Sequence, residues 1–278
     1  LSYLGTDKMS AEQIASEMYA IACSFGLSAG TNQSWIEISG LSENMGKAME
    51  IVEGLIAGAH TNEEILQNLK GDMIKSRADA KLNQSRCFGA LQRYMIYGSD
   101  FIRRTTLTDP ALQGLTSEQL LAKIGDLMGK QHEVLYYGPQ DEAEVKAALA
   151  AHHKVAADLQ PLEKKFSTLQ PTDENKVMLA QYDAKQLYYM QYSNRGEKFD
   201  LAADPQITLY NEYFGGGMNT IVFQEMREAR GLAYSAWANL AIPTNAKGDY
   251  YYMAFIATQN DKMQKAIEAF DEIINNMP

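Results

Sequence analysis

Phe214-Gly215-Gly216-Gly217-Met218, followed by a helical stretch Thr220 to Ala229, then Tyr234-Ser235-Ala236-Trp237 and a strand Tyr250 to Ala257, decides the fold because the pattern occurs twice. The earlier copy runs Leu4-Gly5-Thr6-Asp7-Lys8-Met9, a helical stretch Ser10 to Ile21, Phe25-Gly26-Leu27-Ser28 and a strand Ser34 to Ser39. Met9 maps onto Met218 and Phe25 onto Tyr234, an offset of 209. Beyond the strands, Glu43-Asn44-Met45-Gly46-Lys47-Ala48-Met49-Glu50 matches Asp261-Lys262-Met263-Gln264-Lys265-Ala266-Ile267-Glu268 at an offset of 218. The second copy therefore carries nine extra residues, in the hairpin around Pro243 to Asp249, where insertions are tolerated. An internal repeat of this length implies a duplicated structural unit.

Each copy reads helix, strand, turn, strand, helix, the order of a largely antiparallel sheet with helices packed on one face. The fold class expected is thus α+β, with two repeated domains, both incomplete. After its matched helix the first copy continues with a helical tract from Asn62 to about Tyr97, an extended Phe101 to Leu107, a helix Ser117 to Met128 and a strand Glu133 to Tyr137. The second copy opens instead with a hairpin, Val177 to Tyr182 and Gln186 to Tyr192, turning at Asp183-Ala184-Lys185. Gly138-Pro139 punctuates the chain, Asp141-Glu142 seed a helix through Ala151, and a Lys/Glu/Gln-rich tract with Pro161 and Pro171 follows. The expected division is a first domain over residues 1–153, a linker over 154–175 and a second domain over 176–278. The missing pieces at both ends make a chain excised from a longer one the expectation.

Composition narrows the function. The 278 residues amount to about two domains at roughly 150 residues each. Hydrophobic residues make up 46% and charged residues 22%, which supplies a packed core and excludes wholesale disorder. Against 35 Asp and Glu stand 25 Lys and Arg, a net charge of −10 that opposes nucleic acid and anionic lipid alike. No apolar run has the length of a membrane span. Cys23 and Cys87 are too few for a disulfide framework, so they leave the compartment open between cytoplasm and periplasm.

Metal chemistry has little to draw on. His152 and His153 are adjacent and point apart on a helix; His132 has no partner at ligand spacing; His60 is followed by Glu64 where a zinc helix needs a second His. Thr61 and Glu64 read better as a capping box. The triple glycine 215–217 lacks the Lys-Ser/Thr of a phosphate loop and reads as a tight lead into the next helix. The sharpest segment is Phe223-Gln224-Glu225-Met226-Arg227-Glu228-Ala229-Arg230-Gly231-Leu232-Ala233-Tyr234-Ser235, in which Gly231 ends a helix and Tyr234 begins a strand. Arg227 is either a helix-end cation paired with a carboxylate, with Tyr234 a half-buried strand aromatic, or the two are donors converging on a carbonyl that becomes negative in a transition state. The Tyr-rich strand Leu187-Tyr188-Tyr189-Met190-Gln191-Tyr192 is either a half-buried core strand or a sheet edge.

Phe214 to Thr220, Phe223 to Glu228 and Gly231 to Ser235 resemble the C-terminal signature of the pitrilysin/insulinase (M16) zinc metallopeptidases. Tyr3 to Glu12 and Gly40 to Asn44 resemble the first-domain pattern of the same family, so the likeness covers nearly the whole chain. It implies a composite active site: a His-x-x-Glu-His helix and a downstream Glu hold zinc in one domain, and an Arg and a Tyr seven residues apart come from a later one. Arg227 and Tyr234 have that spacing. The zinc helix would end just upstream of Leu1, and the tract where the third ligand belongs, Asn68 to Leu82, offers only Asp72 and Asp79. The resemblance therefore implies the C-terminal, non-zinc-binding half of such a metalloendopeptidase, inactive alone. Its partner would be the catalytic half carrying the zinc, its substrates peptides, and its own cofactor content none. Arg227 and Tyr234 would stabilise the scissile carbonyl, with Tyr188, Tyr189 and Met190 candidate substrate contacts. A catalytically inactive scaffold or assembly subunit of the same fold is the alternative.

Overall fold

The computed structural model describes residues 1–30, 33–162 and 168–277, so residues 163–167 of the expected linker lie outside the described residues. Two compact units emerge, one from Leu1–Ser76 with Leu107–Phe166, the other from Arg77–Thr106 with Ser167–Pro278. The expected division at residues 154–175 left residues 77–106 in the first domain, whereas here they group with the C-terminal part of the chain.

In the first unit, α1 (Ala11–Ala20) starts at a Ser10/Gln13 capping box and leads through β1 (Cys23–Ala29) and β2 (Ser34–Gly40) to α2 (Met45–Gly58). The strands pair antiparallel, Cys23 opposite Gly40 and Ala29 opposite Ser34. Ile14 and Met18 of α1, Cys23 of β1, and Ala48, Ile51, Val52 and Leu55 of α2 form one core, with Phe25 and Ile38 packed against it. Trp35 and Ile36, adjacent on β2 and therefore pointing to opposite faces of the strand, are both exposed.

The chain continues through α3 (Glu63–Lys81), α4 (Gln84–Thr105), α5 (Asp109–Gln113), α6 (Ser117–Met128) and α7 (Glu142–His152). Asn62, not the expected Thr61, caps α3: its side chain accepts the Ile65 amide at 3.0 Å. Glu63 is drawn elsewhere, accepting the Ser117 backbone amide at 2.6 Å and its hydroxyl at 2.9 Å at the start of α6. Lys70, only 2% exposed, has its buried ammonium satisfied by donating to the carbonyls of Gln113 at 2.9 Å and Leu115 at 2.5 Å. The Ser117 backbone and hydroxyl bonds hold the Glu63 carboxyl below its ordinary range. A group depressed in this way adds stability above its unfolded pKa and loses it as the pH falls through the folded value. Glu63→Gln is therefore expected to flatten the acid limb of the stability curve below about pH 4.5, read as thermal midpoint against pH. An acid limb superimposable on that of the parent chain would count against this assignment.

Three expected elements differ. Phe101 to Leu107 was expected to be extended, but after a kink at Gly98, φ +74°, the chain is helical again to Thr105; Asp100 pairs with Arg103 and Arg104 one turn on, and buried Phe101 stacks on Tyr97. Glu133 to Tyr137 is not a strand: Val134, Leu135 and Tyr137 are exposed, and among the described residues no strand pairs with them. Of the hairpin expected to open the second copy, only β3 (Gln186–Ser193) forms; Val177 to Tyr182 has no regular structure. Strand propensity is expressed only where a neighbouring edge accepts the backbone bonds.

The second unit repeats the first. After α8 (Asp204–Phe214), the short α9 (Ile221–Phe223) passes into a π-helical turn over Gln224–Ala229, and β4 (Ser235–Ala241), β5 (Tyr251–Gln259) and α10 (Met263–Asn275) follow. A 3₁₀ turn precedes α2 at Ser42–Asn44 and α10 at Asn260–Lys262, so the sequence offset of 218 is kept in the structure. The sheet order is β3-β5-β4, all antiparallel, with Tyr188 and Ser235 both opposite Ala257. On one face Ala236, Ala238, Ala254 and Ile256 meet Phe214, Val222, Met226, Ala266, Ala269, Phe270 and Ile273. The other face also receives a helix: Phe88 of α4 lies edge-on to Tyr188 at 5.4 Å and tilted to Phe255 at 5.7 Å, and Trp237 stacks on Phe255 at 5.8 Å. This aromatic packing is why residues 77–106 belong with the C-terminal unit.

The glycine triplet also has a packing reason. A Cβ on Gly215 would sit 2.1 Å from the Ala238 carbonyl, so only glycine lets the end of α8 close on β4. Beside it the Asn211 amide donates to the Leu240 carbonyl and accepts the Leu240 N–H, both at 2.9 Å, and so stands in for a missing neighbour strand.

Candidate functional site

The corner singled out in the sequence is where the second unit departs from regular helix. Over Gln224–Ala229 the turn widens to π, and the amides of Leu232 and Ala233 both reach back to the Met226 carbonyl, at 2.9 and 3.2 Å. Gly231 at φ +58° completes the stop in the left-handed region. Val222 and Met226 are fully buried against Phe270, which anchors the turn from below. A π-turn inserts an extra residue and re-aims the side chains around it, a feature concentrated at functional sites.

Arg227 and Tyr234 are brought together by this turn. The Arg227 guanidinium carbon lies 5.6 Å from the centroid of the Tyr234 ring and 5.0 Å from that of Phe223, within cation–π range of both. Tyr234 is 70% exposed rather than half-buried, and among the described residues its hydroxyl has no hydrogen-bond partner. Its backbone N–H donates to the Ala257 carbonyl at 2.9 Å, which pins the residue at the head of β4.

Arg227 is the basic residue of the last turn and does meet a carboxylate, but the stronger ion pairs there belong to Arg230. Arg230 donates to Glu272 at 2.6 Å and to Glu225 at 3.4 Å, and the Glu272 bond holds its guanidinium above its ordinary pKa. Among the described residues the only carboxylate that Arg227 meets is that of its neighbour Glu228, at 3.6 Å with both side chains well exposed, a geometry worth little in water. It is Arg230 that ties the turn to α10. Sequence spacing did not separate the two arginines; only the position of Glu272 on α10 does.

Tyr188, Tyr189 and Met190 lie on β3, across the sheet from this corner. β5 runs between β3 and β4, so the strands that carry the two sets are roughly 10 Å apart at about 4.8 Å per strand spacing. The three also point to different faces. Tyr189 packs on the helix-covered core and accepts a hydrogen bond from Gln191 at 3.1 Å, whereas Tyr188 faces α4. Together with Tyr94 and Tyr251 they border a cavity of about 1530 Å³ within the second unit. Burial holds the nearby Tyr192 phenol up at about 12, so it stays a neutral donor, bonded to the Gln170 carbonyl at 2.7 Å.

The histidines are all engaged by carboxylates or by each other. His60 meets Asp7 at 2.8 Å, His152 meets Glu50 at 3.1 Å, and His153 bridges Glu53 and His132. Among the described residues no group of three His, Cys, Asp or Glu side chains is arranged to hold a metal ion. Asp72 and Asp79 of α3 join no such group. Nor, among those residues, is any helix long and apolar enough to cross a membrane.

The sequence profile of the peptidase M16 inactive domain matches residues 115–277, more than half of the chain and all of the Arg227 corner. The chain belongs to the M16 peptidase family. Its fold is shared with the peptidase M16 inactive domain from Pseudomonas fluorescens, at a TM-score of 0.72 and 18% identity over 99% of this chain and 67% of that one. The periplasmic protease PqqL from Escherichia coli superposes at 0.76 with 15% identity, over 98% of this chain and 30% of that one. The ferredoxin protease FusC, in complex with Arabidopsis ferredoxin, superposes at 0.77 with 11% identity, over 100% of this chain and 30% of that one. The M16 chain thus spans about two thirds of the first relative and under a third of the other two. At such identities the likeness is one of fold. No curated protein matches the chain.

Proposed function

We propose that this chain belongs to the non-zinc-binding half of an M16-type metalloendopeptidase and supplies part of its substrate chamber. The observation that carries the reading is the Arg227–Tyr234 pair: a guanidinium whose only ion pair among the described residues is the exposed one to Glu228, its carbon 5.6 Å from the centroid of an exposed tyrosine ring, at the corner where a π-turn anchored in the core leads into β4. Both groups only donate toward a carbonyl oxygen, and a donor pair held in place before the reaction is what a developing oxyanion requires. The metal itself would reside in a partner half carrying the His-x-x-Glu-His helix, where zinc activates the attacking water. Among the described residues no such site forms, and in this reading the chain's part is to orient the peptide and hold the carbonyl. In the same reading, the β3 edge around Tyr188, Tyr189 and Met190 receives flanking peptide as an added strand, its contribution at Tyr189 coming from the backbone because that side chain is spent in the core.

A scaffold reading is favoured by one observation, the match to a domain described as inactive. Tyr234→Phe in the assembled peptidase separates the two. It keeps the ring under Arg227 and removes only the hydroxyl. Cleavage of a quenched fluorescent peptide is expected to fall about 10²-fold in kcat with KM nearly unchanged, the signature of an interaction made in the transition state alone. Unchanged kcat in a correctly assembled variant would select the scaffold.

A further inference from the structure

The free edge of the second sheet is tethered to a segment of the same chain that has the composition of a strand and none of its bonds. β3 is the outer strand in the order β3-β5-β4, and Gln186 to Ser193 contain neither charge nor proline, the usual devices that blunt an exposed edge. Residues 173–182 are tied at both ends of that edge. At one end the Thr172 N–H donates to the Asn194 carbonyl at 3.1 Å, and the Asn194 N–H returns to the Thr172 hydroxyl at 3.0 Å. At the other, the Tyr182 hydroxyl donates to the Leu82 carbonyl at 2.7 Å and the Asn260 amide to the Ala184 carbonyl at 3.2 Å. Between these ties, among the described residues, no backbone hydrogen bond joins the segment to β3. Paired strands lie about 4.8 Å apart with no room between them, whereas here residues 174–182 and β3 both border the cavity of about 1530 Å³. The segment therefore stands off the edge, and it leaves Val177 and Leu179 86% and 89% exposed.

The tie at Asn194 sets the register in which the segment can close. Antiparallel pairing carried on from Thr172 opposite Asn194 places Glu174 opposite Tyr192, Lys176 opposite Met190 and Met178 opposite Tyr188. The Gln186 carbonyl already accepts the Gln84 side-chain amide at 2.6 Å, so backbone pairing stops at Met178. The alternate residues Val177 and Leu179 fall opposite Tyr189 and Leu187. Tyr189 packs on the helix-covered core, and closure turns the two exposed apolar side chains to that face of the sheet. Closing thus pairs a free edge and removes apolar surface from water. The opposing loss of chain freedom is small, because both ends of the segment are fixed beforehand.

We propose that residues 174–179 are a strap that closes on β3 as the fourth strand of the sheet, and that an incoming peptide reaches this edge only by displacing it. The second part rests on the reading of the β3 edge as a peptide site; the first does not. A strap closed about nine-tenths of the time weakens any competitor for the edge by about tenfold, since only the open fraction is free to bind.

The test uses the full chain. Amide exchange resolved by residue is expected to alternate, with Glu174, Lys176 and Met178 exchanging about tenfold or more slower, relative to their intrinsic rates, than Asn175, Val177 and Leu179. Val177→Asp with Leu179→Asp places charge where closure would bury it, at positions that face solvent while the strap is open. The double variant is expected to abolish the alternation and to keep the protection of the central strand β5, which shows that the sheet is intact. The probe for the vacated edge is a fluorescein-labelled peptide of the parent sequence Asp173 to Tyr182. It is expected to bind the double variant about tenfold or more tightly than the parent chain, whose own strap competes. Uniformly fast exchange over residues 174–179 would overturn closure. Alternation together with equal binding of the labelled peptide to parent and variant would overturn displacement. If both results are as expected and the KM of the assembled peptidase for a quenched fluorescent peptide is indifferent to the double substitution, it is the peptide-site reading of this edge that falls.

Discussion

Arg227→Ala in the assembled peptidase is expected to lower kcat for peptide cleavage by about 10² to 10³-fold, with KM changed little. The expectation follows from what Arg227 does not do. Among the described residues its one carboxylate contact is to adjacent Glu228 at 3.6 Å, and the stabilising ion pairs of this turn are made by Arg230 with Glu225 and Glu272. Removing the Arg227 side chain should thus leave the unfolding free energy within about 0.5 kcal/mol of the parent, as for other surface substitutions. Arg230→Ala makes the converse case, touching stability through the α10 contact. Arg227→Lys is expected to recover only a small part of the rate, because a point charge cannot lie flat over the Tyr234 and Phe223 rings while presenting two N–H groups. Full activity in Arg227→Ala would remove the guanidinium from the chemistry.

Phe270→Ala is expected to have the largest effect on stability, about 3–5 kcal/mol, as for other fully buried aromatic truncations. Phe270 is wholly buried on α10 among Phe214, Val222 and Met226, the residues beneath the π-turn. The resulting cavity would therefore loosen the platform that aims Arg227. Each unit has its own core and contains one of the two tryptophans, Trp35 or Trp237. Urea unfolding followed by Trp237 fluorescence in a Trp35→Phe background is expected to show the destabilisation in full. Trp35 fluorescence in a Trp237→Phe background reports the first core, where Phe270 takes no part. An unchanged Trp237 transition would show that the α10 core is not what supports the second unit.

Much of this was legible in the chain before any coordinates. The repeat was readable because helix period, strand alternation and the Met45/Met263 helix starts are local patterns written into consecutive residues. Both copies fold as helix, hairpin and helix, and the Arg227 to Tyr234 spacing marked a corner where those two residues do meet. What failed was whatever depended on a neighbour. Glu133 to Tyr137 and Val177 to Tyr182 have strand composition, yet an edge must be present to accept their backbone bonds. Phe101 to Thr105, β-like in composition, is helical because Asp100 and buried Phe101 hold it there.

By itself, then, the sequence determined the α+β class, the duplication, the scarcity of metal ligands and the residues of the candidate corner. Tertiary structure alone decided which arginine is spent on Glu272, that α4 packs on the second sheet, that β5 separates Tyr188 from Tyr234, and that His132 meets His153. The physical reason is range. Secondary structure and turns are set by interactions among residues a few positions apart, whereas the pairing of a charge or a strand edge is settled by a partner far away in the chain, whose position no local pattern encodes.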